Sequence, residues 1–423
     1  MSSSLFDLLW MAARRRVLVL LGATIALSPP PAAAGDFHHW VQFAAEGLQA
    51  RAVTKSGACP KAAIDGRETA MTARAQADDL FPVTICTLDI PKGAKSAAID
   101  GRPLALPPPR PNKILVVGDT GCRLKGLFLQ DCNSPGSWPF PLVADVAAKL
   151  APDLVVHVGD YYYRESACPL LRQGCAGSPH GDNWASWEAD FFDPAGALLH
   201  SAPWVFVRGN HETCERGGRG WTRALDPHPF PADGRCPPQD RPFAVDLGGP
   251  TLVVLDVTTA EDRVANLEQA QFFKTQLSTA GAIPGPVWYA FHKPIFSSIR
   301  ISGKETVGDN KTLAEAARDG LPANVEAILS GHLHAFQAAS YVEDYPAQFV
   351  VGNGGDTLDP YTPAKFDGLV INGLTVERGR STAPIFGFAT FERGDGEWLV
   401  TDYDVQGKPL LRCHLRGRKV ECE

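Results

Sequence analysis

Five short apolar runs, each ending in a polar cluster, constrain this 423-residue chain more than any other feature. Ile114-Leu115-Val116-Val117 runs into Gly118-Asp119-Thr120-Gly121, and Val155-Val156-His157-Val158 into Gly159-Asp160-Tyr161-Tyr162-Tyr163. Val205-Phe206-Val207 passes through Arg208 into Gly209-Asn210-His211-Glu212. Val287-Trp288-Tyr289-Ala290-Phe291 ends in His292, and Ala327-Ile328-Leu329 in Ser330-Gly331-His332-Leu333-His334. Continuous apolar runs of this length read as strands buried on both faces. Helical patterns are expected between them, over residues 140–150, 183–199 and 267–277. Such alternation predicts an α/β layered domain. In open α/β sheets ligands bind outside the carboxyl ends of the strands, so the five clusters are expected to converge there. Any one of them is weak: a Gly-Asp pair is usually a turn, and a lone histidine is usually a surface residue. Together, Asp, Asn, His and Tyr form a donor set suited to Fe, Zn or Mn.

The remaining chain divides by composition. Arg14, Arg15 and Arg16, an apolar run over 17–27 and Ala32-Ala33-Ala34 read as a secretory signal peptide over residues 1–34. Paired arginines also fit loosely to a twin-arginine export signal. No later stretch reaches 18 apolar residues, so the mature chain is expected to have no membrane span and to be secreted or periplasmic. Residues 35–106 carry two copies of Ala-Ala-Ile-Asp-Gly-Arg, at 62–67 and 97–102. Asp-Gly between β-like runs signals two-residue hairpins, so a small β-rich N-terminal module is expected. Residues 107–111, proline-rich, read as a stiff linker before a catalytic domain over 112–423. The net charge of −7 argues against a general nucleic-acid binder. Ten cysteines suit an oxidising compartment. In chain order they are expected to pair as Cys59–Cys86, Cys122–Cys132, Cys168–Cys175, Cys214–Cys236 and Cys413–Cys422, although ten cysteines allow many connectivities.

The ordered clusters resemble the calcineurin-like metallophosphoesterases, and among them the purple acid phosphatase branch. The pattern D-x-G, G-D-x-x-Y, G-N-H-E/D, V-x-x-H and G-H-x-H is matched between about residues 113 and 360. The resemblance implies a metallophosphoesterase-type layered β-sandwich flanked by helices. It implies a binuclear centre, with one ion held by Asp119, Asp160, Tyr163 and His334. The other is held by Asp160, Asn210, His292 and His332. Most of the superfamily has a histidine where Gly121 stands, and the branch fills that place with the tyrosine matched here by Tyr163. A tyrosinate suits Fe³⁺, with Zn²⁺, Mn²⁺ or Fe²⁺ as its partner. The implied reaction is hydrolysis of a phosphate ester by in-line attack of a metal-bound hydroxide. His211 is expected to contact phosphate and protonate the leaving group, with Glu212 orienting it.

Two departures bear on the substrate. Tyr289 stands where the branch has valine. Residues 293–302 contain none of the further histidines usual after the fourth motif. Arg300 or Lys304 could supply the missing phosphate contact. The long loop between Cys214 and Cys236, with Arg216, Arg219, Trp221, Arg223 and His228, is expected to border the substrate pocket. Gly352-Asn353-Gly354-Gly355-Asp356 resembles a family loop near the metals. Phosphatase-type activity is the main reading. A phosphodiesterase on the same site and a non-catalytic secreted metal or phosphate binder are the alternatives.

Overall fold

The computed structural model describes residues 38–301, 304–307, 310–359 and 362–423, with side chains between 299 and 309 left out. The signal peptide expected over residues 1–34, and the side chains of Arg300 and Lys304, lie outside the described residues. Seven strands position the site. They are β1 (His39–Ala44), β2 (Lys113–Val117), β3 (Leu154–His157), β4 (Trp204–Phe206), β5 (Val287–Ala290), β6 (Val325–Ser330) and β7 (Ala347–Val351).

Two sheets dominate the described residues. The first has eleven strands, with β2, β3, β4 and β1 adjacent at its centre. The second has eight, with β5, β6 and β7 adjacent. Within each trio the pairing is parallel and level: Val117 lies opposite His157, His157 opposite Phe206, and Ala290 opposite Leu329. Level parallel ends deliver all five polar clusters to one edge. Alternate residues of β2 point to opposite faces. Ile114 and Val116 enter a core between the sheets, where they meet Val156, Trp288, Leu329 and Phe349. Leu115 and Val117 face outward onto a helical layer.

That layer includes α1 (Phe140–Lys149), whose buried Phe140, Val143, Ala144 and Ala147 repeat at helical spacing. Proline in its first turn removes no intrahelical bond. The helix expected over 183–199 is broken. Trp184–Trp187 (α2) is followed by a π-helical turn, Glu188–Phe192, and then by a separate helix at Gly196–Ser201. Pro194 lacks the N–H that a continuous helix would need there. The expected third helix is Leu267–Ser278 (α3), and it covers the outer face of the second sheet. Among the described residues no helix is long and apolar enough to cross a membrane.

The N-terminal region is β-rich, as its composition suggests. Each Ala-Ala-Ile-Asp-Gly-Arg copy forms a hairpin, with Asp65 at φ 49° and Asp100 at φ 47° in the turns. The two copies also pair with each other, Ala63 opposite Ala98. The other strands of this region are not set apart. β1 pairs in parallel with β4, so the large sheet continues through β1, Gly47–Thr54, Thr84–Ile90 and Thr72–Ala75. All five expected disulfides are present.

Candidate metal centre

The seven residues expected as metal ligands meet at the shared strand edge. Tyr163 Oη lies 3.0 Å from Asp119 Oδ1, 2.9 Å from Asp160 Oδ2 and 3.2 Å from His334 Nε2. On the other side of Asp160, its Oδ2 is 3.1 Å from His292 Nε2. Asn210 Oδ1 lies 3.0 Å from His292 Nε2 and 2.8 Å from His332 Nδ1. Asp160, His292 and His332 offer donor atoms within 4.8 Å of one another. Two imidazoles have their far nitrogen on a backbone carbonyl: His292 Nδ1 on Val158 at 2.8 Å and His334 Nδ1 on Thr357 at 2.6 Å. With a cation bound, those bonds would keep the proton on Nδ1 and present an unprotonated Nε2 to the site.

The backbone is shaped for this convergence. Asp119, Asp160 and His332 take φ values of 55°, 60° and 71°, a left-handed region that side-chain-bearing residues seldom adopt. Gly121 answers a different demand. A Cβ there would lie 2.5 Å from the Tyr161 carbonyl oxygen and 2.9 Å from the Tyr163 ring. The missing side chain and the tyrosine that fills its place are therefore one steric unit. At Gly209 a Cβ would stand 2.1 Å from Asp160 Oδ1.

Two buried carboxylates hold the second loop from beneath. Glu212 accepts N–H bonds from Gly209, Asp160, Tyr161 and Tyr162 at 2.9–3.1 Å. Asp190 accepts from the N–H groups of Cys122, Tyr163 and Arg164, and from Arg164 Nε. Burial, reinforced by Asp160, pushes Glu212 up to about 8. Glu212 was expected to orient His211; it instead clamps the backbone, because it points beneath the loop. Glu165 takes the expected place, with Oε1 2.8 Å from His211 Nδ1. Burial alone would raise Glu165, but His211 and Arg216 hold it down at about 2.

The His211 ring lies against that of Tyr163, tilted by 36° at a centroid distance of 3.8 Å, and has Nε2 3.8 Å from Asp160 Oδ2. Arg216 pairs with Glu165 and lies 2.6 Å from His211 Nε2. The rest of its loop turns away. Arg219 and Arg223 bind Asp78, Trp221 Nε1 binds Asp240, and His228 binds Asp226. Only Arg216 of that group reaches the centre. The loop at 352–356 does reach it: Asp356 sits 3.6 Å from His334 Nε2 and pairs with Arg123, whose guanidinium lies over the Tyr163 ring. Glu165, Asp190 and Arg123 carry no motif signal that singles them out, since their partners are up to 233 residues away.

The donor set fits a cation. Burial and the Asp119 and Asp160 carboxylates push the Tyr163 phenol well above its ordinary value, with Arg123 opposing. One phenolic proton cannot satisfy both carboxylates, whereas a positive ion against the oxygen would relieve all three groups. His292 and His334 are drawn up to about 9 and about 10 by the same carboxylates, against the effect of burial. Protons thus stand in at positions whose electrostatics favour positive charge.

Comparison with known proteins agrees with this geometry. The family model for calcineurin-like phosphoesterases matches residues 112–336. Among solved structures, the chain is similar to the purple acid phosphatase PPD1 from yellow lupin (Lupinus luteus) seeds. That likeness has a TM-score of 0.54 at 13% identity and covers 88% of this chain and 72% of that one. A structure of PhoD is similar with a TM-score of 0.54 at 12% identity, over 92% of this chain and 91% of that one. At these identities the likenesses concern the fold. No curated protein matches the chain in sequence.

Proposed function

This chain belongs to the calcineurin-like phosphoesterases and is a metal-dependent phosphoester hydrolase; from that premise we propose an exported, binuclear phosphatase of the purple acid phosphatase-like branch. One observation carries the reading. Asp160 Oδ2 is shared, 2.9 Å from Tyr163 Oη and 3.1 Å from His292 Nε2, as a carboxylate bridging two ions would be. Asp119, Tyr163 and His334 complete one ligand group; Asn210, His292 and His332 complete the other. The phenolate favours Fe³⁺ in the first, and the imidazole-rich second group favours Zn²⁺, Mn²⁺ or Fe²⁺. Bound ions would neutralise phosphate charge and lower the pKa of water towards neutrality.

The chain's own residues supply the rest. Glu165 holds the His211 Nδ1 proton, which turns Nε2 towards the metal loops. From there His211, in its imidazolium form, would donate to the leaving oxygen, with Asp160 and Glu165 supporting that charge against burial and Arg216. Arg216, tethered by Glu165 and by the Asn210 carbonyl at 3.0 Å, offers a guanidinium to a phosphate oxygen. Five disulfides favour an oxidising compartment.

The test is spectroscopic and kinetic. Purified protein is expected to be coloured by tyrosinate-to-iron charge transfer and to lose the band in Tyr163→Phe. A colourless, iron-free and fully active enzyme would overturn the branch assignment. Faster hydrolysis of a chromogenic monoester than of the matching diester, across pH, supports the phosphatase reading. The reverse order makes the chain a phosphodiesterase. No hydrolysis of either by metal-loaded protein leaves only a binding role.

A further inference from the structure

Far along the sequence from the five clusters, His38 meets the π-helical turn that follows α2. Its Nε2 lies 3.4 Å from Asp193 Oδ1 and 3.8 Å from Glu188 Oε1. His38 is 9% exposed, and its Nε2 is buried without a hydrogen-bond partner. Its ring packs beside Trp184 and Phe192, at centroid distances of 6.0 and 5.6 Å. The three donor atoms lie within 4.8 Å of one another.

The turn explains why two carboxylates face one imidazole. The Asp193 N–H bonds the Glu188 carbonyl at 2.9 Å, an i→i+5 closure. This sets Asp193 over Glu188, where an α-helix would place the two about 140° apart. The 3.4 Å separation from Asp193 suits an ion better than a proton, while Glu188, at 3.8 Å, would draw in slightly to complete the set. Donors about 2.0–2.1 Å from a tetrahedral Zn²⁺ stand about 3.3–3.5 Å apart, while a charge-assisted hydrogen bond would close to about 2.8 Å.

We propose that His38, Glu188 and Asp193 form a second, separate divalent-cation site, with one imidazole nitrogen and two carboxylate oxygens as ligands. The set is that of a borderline ion such as Zn²⁺. Asp193 is largely exposed, which leaves an open side for water to complete the shell. The ion would clip the chain entering β1 onto the helical layer, a structural role separate from hydrolysis. Burial alone would lower the His38 pKa, but the two carboxylates outweigh it and raise it. Proton and cation therefore compete for one nitrogen.

The test uses the full exported chain carrying Asp160→Asn, which disables the shared ligand of the catalytic centre. Protein is equilibrated with Zn²⁺, freed of loose ion by gel filtration and analysed for zinc per chain. Adding His38→Gln or Asp193→Asn is expected to remove one zinc per chain and to abolish the rise in melting temperature caused by Zn²⁺. Asp193 is exposed, so Asp193→Asn tests the site even if His38→Gln folds poorly. Unchanged zinc content in Asp193→Asn, or no zinc-dependent rise in the parent, would overturn the site and leave a histidine–carboxylate ion pair. In the chain with an intact catalytic centre, Asp193→Asn is expected to leave the hydrolysis rate unchanged.

Discussion

The loops that form the candidate metal centre and the collar behind Arg216 are both built from buried polar groups, yet they are organised in opposite ways. In the centre, each strand end supplies its own polar residues within a few positions, and level parallel strands bring them together. In the collar, side chains from the N-terminal strands reach across to residues 222–228. Arg74 donates to the carbonyls of Thr222, Arg223, Asp226 and His228, Arg51 to those of Ala224 and Asp226, and Gln42 to that of Leu225. These guanidiniums satisfy carbonyls that the end of a helical segment leaves open. The centre concentrates donors for a ligand, and the collar directs most of its donors to its own backbone carbonyls, leaving Arg51 Nε, Arg223 Nε and His228 Nε2 buried without a partner. A cluster of buried charge is thus no sign of a site until its partners are counted.

The sharpest way to break this comparison is to substitute within the centre. Asp160→Asn is expected to lose metal and to reduce hydrolysis at least as much as His211→Ala does. His211→Ala should keep the metal and lose about 10²–10⁴-fold in rate. Metal analysis beside single-turnover rates separates the two; equal metal loss in both would remove His211 from the proton-transfer role. Gly121→Ala comes next. Its Cβ meets the Tyr161 carbonyl at 2.5 Å and the Tyr163 ring at 2.9 Å, so the loop must shift. We expect about 1–3 kcal/mol of lost stability and a weaker tyrosinate band. An unchanged band would mean that Tyr163 does not depend on the vacancy at Gly121.

How much of this was legible in the sequence follows from the same contrast. Asp119, Asp160, Tyr163, Asn210, His292, His332 and His334 lie in polar clusters at the ends of apolar strands; the clusters were visible locally, and the resemblance of their order to the family pattern implied these residues as ligands. Glu165 was missed although it is two residues from Tyr163, because its role depends on where His211 lies. Asp190 was hidden in an aromatic helical pattern, and its bond to the Cys122 N–H spans 68 residues. Arg219, Trp221, Arg223 and His228 misled for the converse reason. Their residue types suit a phosphate pocket, but Asp78, Asp226 and Asp240 consume them. The N-terminal hairpins were readable from Asp-Gly alone, whereas the pairing of β1 with β4 is a contact between distant segments that no local pattern records.

Within the collar, Arg74→Ala should behave unlike any change in the centre. It takes away the donor of the Thr222, Arg223 and His228 carbonyls, while that of Asp226 keeps Arg51. A loss of about 2–4 kcal/mol is expected in denaturant unfolding, from hydrogen bonds made by a charged group. Turnover per folded molecule should stay within about twofold of the parent, since the guanidinium touches no residue of the centre. A fall in turnover comparable to that of His211→Ala would show that the collar positions Arg216 and is not a passive brace.

The smallest effect is expected at Asp402, a buried carboxylate that belongs to neither region. Asp190 and Glu212 each accept several N–H bonds. Asp402 Oδ2 accepts the Thr382 hydroxyl at 2.6 Å, with weaker support from Asn353 and the Tyr403 backbone, and its Oδ1 is buried without a close partner. Burial pushes its pKa up to about 7. A carboxyl whose folded pKa is raised binds its proton more tightly when folded, so its contribution is unfavourable once that proton leaves. Stability should therefore fall as pH rises from about 4 to about 7, by at most about 4 kcal/mol for roughly three units. Asp402→Asn removes that dependence but keeps a buried polar group with an unfilled partner, which returns about 1–3 kcal/mol of cost. The net expectation is a gain of about 1–3 kcal/mol at pH 8 and a loss of about 1–3 kcal/mol at pH 4, read from urea unfolding at the two pH values. A gain that is equal at both would mean that packing, not ionisation, governs this position.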